Sequence, residues 1–288
     1  MLHINSNLAL DSLIADFREI CPHRSSVLFR EFLPVGYRLT TLSSVPAEYR
    51  EIVIQAKIRL GMLITLYDDL ADHPDYLNAA LLKKLYRLNI DEDYVLTLSL
   101  SLENKIFQLA RRLFSELREL LSGLPNFDQL KAILEFDIEQ FYCCNRLSSL
   151  ATETPGVLNL VESQTLGPHN MGIVAAGTID LMSVSDLNVR EIAICREIFI
   201  LGQRMGRISN VVYTFEREQL EGDQTNEIFV QQRLFGGTHQ TIKDQLLQEL
   251  EDCYLGIKKF CASAFSSAQY AQGFLDLHDL HARLERQI

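Results

Sequence analysis

Apolar residues recur along this chain at helical spacing, and this period limits the fold more than any other feature of the sequence. In the stretch 101–124, apolar positions follow one another three or four residues apart with charged residues between them, as on an amphipathic helix. No stretch alternates between apolar and polar residues as a half-buried strand does. The same helical pattern covers about 8–21, 46–72, 78–88, 126–151, 157–183, 188–221 and 238–287. We therefore predict an all-α fold, a single domain over residues 1–288 with about ten helices.

Proline, glycine and small polar residues mark where these helices begin and end. Pro46 suits a first helical turn, and Asn126 and Thr238 suit N-caps. Gly123 and Gly236 suit helix C-termini. Long helices with wide apolar faces are typical of a bundle, and the period alone is compatible with a solid core or with a central cavity.

Composition and charge exclude several classes of protein. The chain has 288 residues and a formal net charge of −11, which argues against a nucleic-acid binder because phosphate contacts need a basic surface. No apolar run is long enough to span a membrane, and no basic segment leads into an apolar one at the N-terminus, so we expect no signal peptide. The six cysteines form no CxxC pair, as expected for reduced thiols in a cytoplasmic protein.

The first candidate site is an acidic cluster at the end of the helix 46–72. Asp68 and Asp72 are four residues apart, so their carboxylates share one helix face, and Asp69 flanks them. Pro74 places the cluster at the helix C-terminus, where the helix dipole is unfavourable for negative charge. Because no Lys or Arg occurs between residues 60 and 82, we expect the cluster to need a cation. Mg²⁺ fits, since it binds one or two carboxylates together with waters and phosphate oxygens.

The second candidate site lies in the helix 188–221. Asn210, Thr214 and Glu218 follow one another at steps of four, so an amide, a hydroxyl and a carboxylate oxygen point to one side of the helix. Such a set of oxygen donors suits another Mg²⁺. Arg207, three residues before Asn210, lies on nearly the same face and could pair with a phosphate group.

Together, and in this order, the two motifs resemble those of the class I terpene synthases of bacteria. The aspartate-rich motif is residues 68–72, the second motif is Asn210-x3-Thr214-x3-Glu218, and the stretch 221–227 resembles the segment that follows the second motif in that family. The resemblance implies a helical bundle that encloses a central cavity, three Mg²⁺ ions and a prenyl diphosphate substrate. It also implies a lyase that ionises the substrate, cyclises the carbocation and releases diphosphate, with catalytic roles for Asp69 and its two neighbouring acids.

The resemblance also directs attention to a helix break and to the residues that would bind diphosphate. Pro168 frees the main-chain carbonyl of Gln164, and the family uses a carbonyl at such a break to direct cation formation. The family's diphosphate-sensing arginine is missing, because no Arg or Lys occurs between Arg146 and Arg190, and its C-terminal Arg-Tyr pair is missing as well. The basic residues that remain as diphosphate ligands are Arg204, Arg207, Arg217, Lys258 and Lys259.

Carbocation chemistry needs a dry pocket whose walls tolerate positive charge, and aromatic ring faces do so. Residues one and two turns before Asp68, together with aromatic residues on other helices, are candidates for this wall, although aromatic residues at helical spacing also fill ordinary cores. The candidates are Gly61, Ile64, Thr65, Phe136, Phe141, Phe199 and Tyr213.

Two other functions share the expected fold. A prenyl-chain-elongating transferase would carry a second aspartate-rich motif where this chain has Asn210, Thr214 and Glu218. A non-catalytic helical relative that binds an isoprenoid would explain the missing arginines. The sequence favours a C15 or C20 substrate without deciding between them, predicts no nucleic-acid partner, and leaves a homodimer open.

Overall fold

A computed structural model describes residues 6–91, 93–96, 101–222, 225–285 and 287–288, with side chains described from residue 10 onward. Within these ranges the chain forms α-helices and shorter helical turns but no strand. The α-helices are α1 (Ser6–Ile20), α2 (Leu33–Thr40), α3 (Ala47–Asp72), α4 (Ala79–Leu85), α5 (Arg87–Ile90), α6 (Ser101–Ser122), α7 (Phe127–Glu153), α8 (Leu160–Thr165), α9 (Ile173–Met182), α10 (Ile192–Glu221), α11 (Glu227–Phe235), α12 (His239–Lys259) and α13 (Ser267–Leu284).

Helix ends follow local chemistry at most of the predicted positions. Thr238 caps α12 by accepting a hydrogen bond from the amide of Thr241, and Ser266 caps α13 in the same way. Gly123 and Gly236 directly follow α6 and α11. Asn126 precedes α7 but makes no capping bond; its side-chain amide donates instead to the main-chain oxygens of residues 181 and 184, which ties α7 to the end of α9.

Two long helices, α3 and α10, organise the bundle. Helix α3 packs against α2, α6, α7 and α9, and α10 packs against α9, α12 and α13. Helix α13 closes the arrangement by packing on α2. Buried apolar residues from α1 through α13 contribute to the main hydrophobic core. None of the described helices is both long and apolar enough to cross a membrane.

The structure divides three of the predicted helices and adds two others. The predicted helix 78–88 becomes α4 and α5. The predicted helix 157–183 becomes α8 and α9, joined by a 3₁₀ turn at Gly167–Met171 and by Gly172, whose φ of +61° is left-handed. The predicted helix 238–287 is interrupted at 260–266, where Phe265 turns inward and stacks on Phe199 with ring centroids 6.0 Å apart. Helices α2 and α11 were not predicted because their apolar pattern is too short to show a period.

Candidate active site

The acidic cluster lies at the C-terminal end of α3, as predicted, but its three carboxylates have different surroundings. Asp68 and Asp72 line a polar pocket at the mouth of the bundle. Asp69 is 1% exposed and is not in the wall of that pocket.

Arg24, which the sequence analysis missed, lies against these acids. Its Nη2 donates to Asp69 Oδ1 at 2.7 Å, its Nε donates to the same oxygen at 3.0 Å, and Nη2 is 3.6 Å from Asp68 Oδ2. The expectation that the cluster has no protein cation nearby is wrong, because the partner comes from a segment 45 residues earlier. No periodic pattern marks this segment, since it is a turn between α1 and the helical turn at 28–32.

Aromatic contacts hold the Arg24 segment in place. His23 Nε2 lies 3.2 Å from Asp69 Oδ1, and the His23 ring is 4.2 Å from that of His73 and 4.9 Å from that of Tyr76. Asp69 therefore anchors two consecutive residues of the N-terminal segment, which fixes the guanidinium of Arg24 beside Asp68.

The second motif lies on α10, and two of its three residues line the same pocket. Asn210 and Glu218 are in the pocket wall, whereas Thr214 is 8% exposed and donates its hydroxyl to the main-chain oxygen of Asn210 at 2.7 Å. Glu218 Oε2 accepts a hydrogen bond from Asn226 Nδ2 at 2.7 Å. The side-chain oxygen of Asn226 also caps α11, so this residue links Glu218 to the start of the next helix.

The three arginines expected to bind diphosphate have different environments. Arg207 and Arg217 line the polar pocket. Arg207 is 7% exposed, and its Nε is buried without a hydrogen-bond partner among the described residues. Arg204 does not line the pocket: its guanidinium pairs with Glu227 and Glu249 at 2.6 Å each, so the structure places it in a buried ion-pair network rather than in the pocket wall. Lys258 and Lys259 are exposed at the end of α12, also outside the pocket wall.

We call this pocket the polar compartment. Its volume is about 470 Å³, and both sides carry charge: acids from α3 face an amide, two acids and two arginines from α10 across it. It is lined by His23, Arg24, Asp68, Asp72, His73, Pro74, Thr152, Pro155, Asn170, Met171, Arg207, Asn210, Arg217, Glu218, Glu221, Gly222 and Thr225.

A second pocket, which we call the apolar cavity, adjoins the polar compartment inside the bundle. Its volume is about 200 Å³, and most of its wall is apolar or aromatic. The two pockets share Arg24, Asp68, Asn170, Met171 and Asn210, so these residues form the junction between them. The rest of the cavity is lined by Leu28, Phe32, Leu33, Gly36, Tyr37, Thr40, Lys57, Gly61, Ile64, Thr65, Ile173, Ala176, Gly177, Gly206, Ser209, Tyr270, Phe274, Leu277 and His281.

Of the residues predicted to line the cavity, the three on α3 do so. Gly61, Ile64 and Thr65 are in the wall, and a side chain at Gly61 would collide with the Tyr37 hydroxyl at 2.6 Å.

The four aromatic residues predicted for the cavity lie elsewhere. Phe136 is 51% exposed on the outer surface of α7. Phe141 stacks on Tyr67, and Phe199 stacks on Phe265, each inside the core. Tyr213 donates or accepts a hydrogen bond with His278 Nε2 at 2.9 Å. None of the four is in the wall of this cavity, whose aromatic residues come from α2, α13 and the turn at 28–32.

The helix break also meets the cavity at a different residue from the one expected. Gln164 is outside both pocket walls, and its side-chain amide donates to the buried carboxylate of Glu227 at 3.1 Å. Asn170 and Met171, just after the break, line both pockets. The next residue is Gly172. A side chain at this position would collide with Ile64, because its Cβ would lie 2.1 Å from Ile64 Cδ1. The part of the break that lines both pockets is therefore 170–171.

The donor set of the polar compartment fits Mg²⁺ that is shared with an anionic ligand. Among the residues that the structure describes, no three His, Cys, Asp or Glu side chains converge to make a metal site by themselves. Burial raises the pKa of the Asp68 carboxyl; Asp69 and Glu218 raise it further, while Arg24 and Arg207 lower it. The acids on the two walls repel each other, and both walls carry oxygen donors. This arrangement suits Mg²⁺, which takes few protein ligands and completes its coordination shell with water and phosphate oxygens.

Solved structures of terpene synthases have this arrangement of helices. Isoprene synthase from grey poplar leaves (Populus x canescens), in complex with three Mg²⁺ ions and dimethylallyl-S-thiolodiphosphate, matches with a TM-score of 0.69 and 12% sequence identity. The match covers 96% of this chain and 55% of the poplar chain, so this chain spans about half the length of that protein.

Two bacterial enzymes match over nearly their whole length. Linalool/nerolidol synthase from Streptomyces clavuligerus, in complex with 2-fluorogeranyl diphosphate, has a TM-score of 0.65 and 11% identity over 98% of both chains. Germacradien-4-ol synthase from Streptomyces citricolor has a TM-score of 0.61 and 14% identity, covering 99% of this chain and 93% of its own.

Sequence comparison adds no closer relative. No protein-family model matches the chain, and no curated protein matches it. The structural likeness establishes the fold: this is the all-α fold of the class I terpene synthases, and the fold class predicted from the sequence is confirmed.

Proposed function

We propose that this protein is a Mg²⁺-dependent class I terpene synthase, related to those of bacteria, that ionises a linear C15 or C20 prenyl diphosphate and cyclises the carbocation. The reaction class is that of a carbon–oxygen lyase acting on phosphates. The observation that carries the proposal is the junction of the two pockets: a charged compartment opens directly into an apolar cavity, and Arg24, Asp68 and Asn210 line both. A prenyl diphosphate has the same division into a charged head and an apolar chain.

The residues that would hold Mg²⁺ lie on opposite walls. Asp68 and Asp72 would bind it from α3, and Asn210, Thr214 and Glu218 would bind it from α10. Bound Mg²⁺ neutralises negative charge on the diphosphate and so makes it a better leaving group.

Arginines on both walls would bind the diphosphate oxygens. The buried Nε of Arg207 has no hydrogen-bond partner among the described residues, and the Nη1 of Arg24 makes no hydrogen bond within the same part of the chain. The buried Nε of Arg207 favours an anion at this place, because an unsatisfied buried donor is costly. Arg24, whose side chain is 15% exposed, would add a charge-assisted hydrogen bond. Arg217, more exposed at the rim, would contact the outer phosphate. Arg24 thereby supplies, from the N-terminal segment, a cation of the kind missing between residues 146 and 190.

Ionisation breaks the allylic C–O bond, and its electron pair leaves with the diphosphate oxygen. The carbocation of the prenyl chain would then react in the apolar cavity. The wall of this cavity includes Phe32, Tyr37, Tyr270 and Phe274, which would exclude water and present ring faces to the positive charge. The protein's own contribution is thus to hold the leaving group in one compartment and the cation in the next.

The test is incubation of the protein with C10, C15 and C20 prenyl diphosphates, with Mg²⁺ or with EDTA, and measurement of released diphosphate and of volatile products. We expect Mg²⁺-dependent release and cyclic products from the C15 or the C20 substrate. A longer prenyl chain after addition of isopentenyl diphosphate would identify a chain-elongating transferase instead. Binding of the substrate without any release would identify a non-catalytic isoprenoid-binding protein.

A further inference from the structure

Helix α13 presents a continuous stripe to the apolar cavity, and the stripe ends in an imidazole. Tyr270, Phe274, Leu277 and His281 all line the cavity, and their spacing of four, three and four places them on one helix face. Among the described residues, His281 is the histidine in this wall. It lies outside the polar compartment.

The environment of His281 keeps the ring neutral and its lone pair available. The residue is 7% exposed, and it makes no hydrogen bond to any residue that the structure describes. Its ring contacts are with Phe32 at 5.1 Å and with Tyr213 at 5.5 Å between centroids. Burial lowers the pKa of His281 to about 4, and the positive charges of His278 and Arg217 act in the same direction. At neutral pH the ring nitrogen that carries the lone pair is therefore a free acceptor.

Other polar side chains in the cavity wall are already engaged or are weaker bases. Lys57 Nζ is paired with Asp180 at 2.5 Å, and an ammonium group has no lone pair to offer. Thr65 donates its hydroxyl to the main-chain oxygen of Gly61. Ser209 is hydrogen-bonded to His278 at 2.8 Å. Hydroxyl oxygens are in any case far weaker bases than a neutral imidazole.

We propose that His281 is the base that ends the reaction by removing a proton from the carbocation. A C–H bond next to the cationic carbon breaks, its electron pair forms the new C=C bond, and the proton goes to the free ring nitrogen of His281. The product is a neutral alkene and an imidazolium ion, so atoms and charge balance without another reactant. This inference rests on the proposed terpene synthase function and extends it to a residue that no metal or phosphate role explains.

The position of His281 fits this role in two further respects. First, a base in the polar compartment would be within reach of the cation only where the two pockets join. Helix α13 instead places His281 in the wall of the apolar cavity, which would hold the hydrocarbon chain. The environment that keeps the ring neutral also makes it release the proton readily, so the imidazolium would return to the neutral form once the site opens to water.

Variants that lack a basic nitrogen but differ in shape separate the base from the shape of the cavity. Asparagine and phenylalanine side chains differ in size and polarity, yet neither is a base comparable to a neutral imidazole, since an amide oxygen is only weakly basic. His281→Asn, His281→Phe and the wild type are each incubated with C15 and C20 prenyl diphosphates and Mg²⁺. The readouts are the rate of diphosphate release, the distribution of hydrocarbon and alcohol products, and the thermal midpoint. His281→Leu replaces either variant if that one does not fold.

The products of each folded variant are counted per diphosphate released, so that an effect of the substitution on substrate binding or ionisation does not enter the comparison. In both variants the share of the main alkene should fall about tenfold, with alcohols and isomeric alkenes in its place, because neither side chain can take up the proton. An unchanged share in both variants, a large fall in only one of them, or loss of diphosphate release would each overturn the role of His281. If the wild type itself releases no diphosphate, the proposed function fails and this inference fails with it.

Discussion

At the residue scale, the three aspartates at the end of α3 have different surroundings although they belong to one motif. Asp69 is buried and holds His23 and Arg24, while Asp68 and Asp72 line the polar compartment. The spacing predicts which two carboxylates share a face, since residues four apart lie one above the other. It does not predict the partner of the third, because that partner is brought in by the tertiary fold.

Replacing Asp68 with asparagine tests its role in holding Mg²⁺. Asp68→Asn should lower turnover of the prenyl diphosphate by about 100-fold or more, because a metal ligand at the leaving group is lost. The free energy of unfolding should change by about 0.5 kcal/mol or less, since the carboxyl is partly exposed. Asp75→Asn is the control, because Asp75 is exposed and outside the compartment wall. Turnover by Asp68→Asn at the wild-type rate would show that the aspartate-rich site is misassigned.

Thr214 gives the sharpest test of the motif on α10. Its hydroxyl donates to the main-chain oxygen of Asn210, which leaves the oxygen lone pairs available to a metal ion. Thr214→Val keeps the shape and removes the oxygen, so we expect it to fold, to lose most activity and to require more Mg²⁺. Thr214→Ser should retain much of the rate. Steady-state kinetics over a range of Mg²⁺ concentrations measure both, and equal activity of the two variants would rule out Thr214 as a ligand.

At the element scale, the sequence predicts the long helices well and the short ones poorly. Helices α3, α6, α7 and α10 show several turns of apolar period, so each was expected close to its observed bounds. Helix α2 has eight residues and α11 has nine, too few for the period to stand out. The cavity wall was predicted on α3, where the motif gives the face, but not on α13, where only the packed structure shows which face is inward.

Arg204 joins three elements, and its replacement should affect stability before function. Its guanidinium on α10 is shared by Glu227 of α11 and Glu249 of α12. Glu227 is 0% exposed, so Arg204→Met would leave a buried carboxylate without its cation, at a cost of about 3 kcal/mol or more. Urea unfolding measures this cost. A variant of unchanged stability that no longer binds inorganic diphosphate would show instead that Arg204 is a diphosphate ligand.

At the scale of the whole molecule, two charged walls face each other across the polar compartment and need a cation and an anion between them. Helices α3 and α10 both pack against α9. Three further segments contribute to the wall of the compartment, which we call the covering segments: His23 and Arg24, His73 and Pro74, and Gly222 and Thr225. We infer that Mg²⁺ and diphosphate draw these segments together and exclude water from the cavity below.

Hydrogen exchange tests this closure. On addition of Mg²⁺ and inorganic diphosphate, amides in the covering segments should exchange several-fold more slowly, because closure protects them from water. The central part of α6, which lies outside both pocket walls, is the internal control. Exchange that stays the same in the covering segments would indicate a site that is already closed.

We propose that the diphosphate head and the hydrocarbon chain of a prenyl diphosphate occupy the polar compartment and the apolar cavity, respectively. A crystal structure of the protein with Mg²⁺ and an unreactive prenyl diphosphate analogue measures this directly. We predict diphosphate density beside Arg24 and Arg207, metal density between Asp68 and Asn210, and the hydrocarbon chain along the α13 stripe toward Lys57. An analogue whose diphosphate lies outside the polar compartment, or whose hydrocarbon chain lies outside the apolar cavity, would contradict this placement of the substrate.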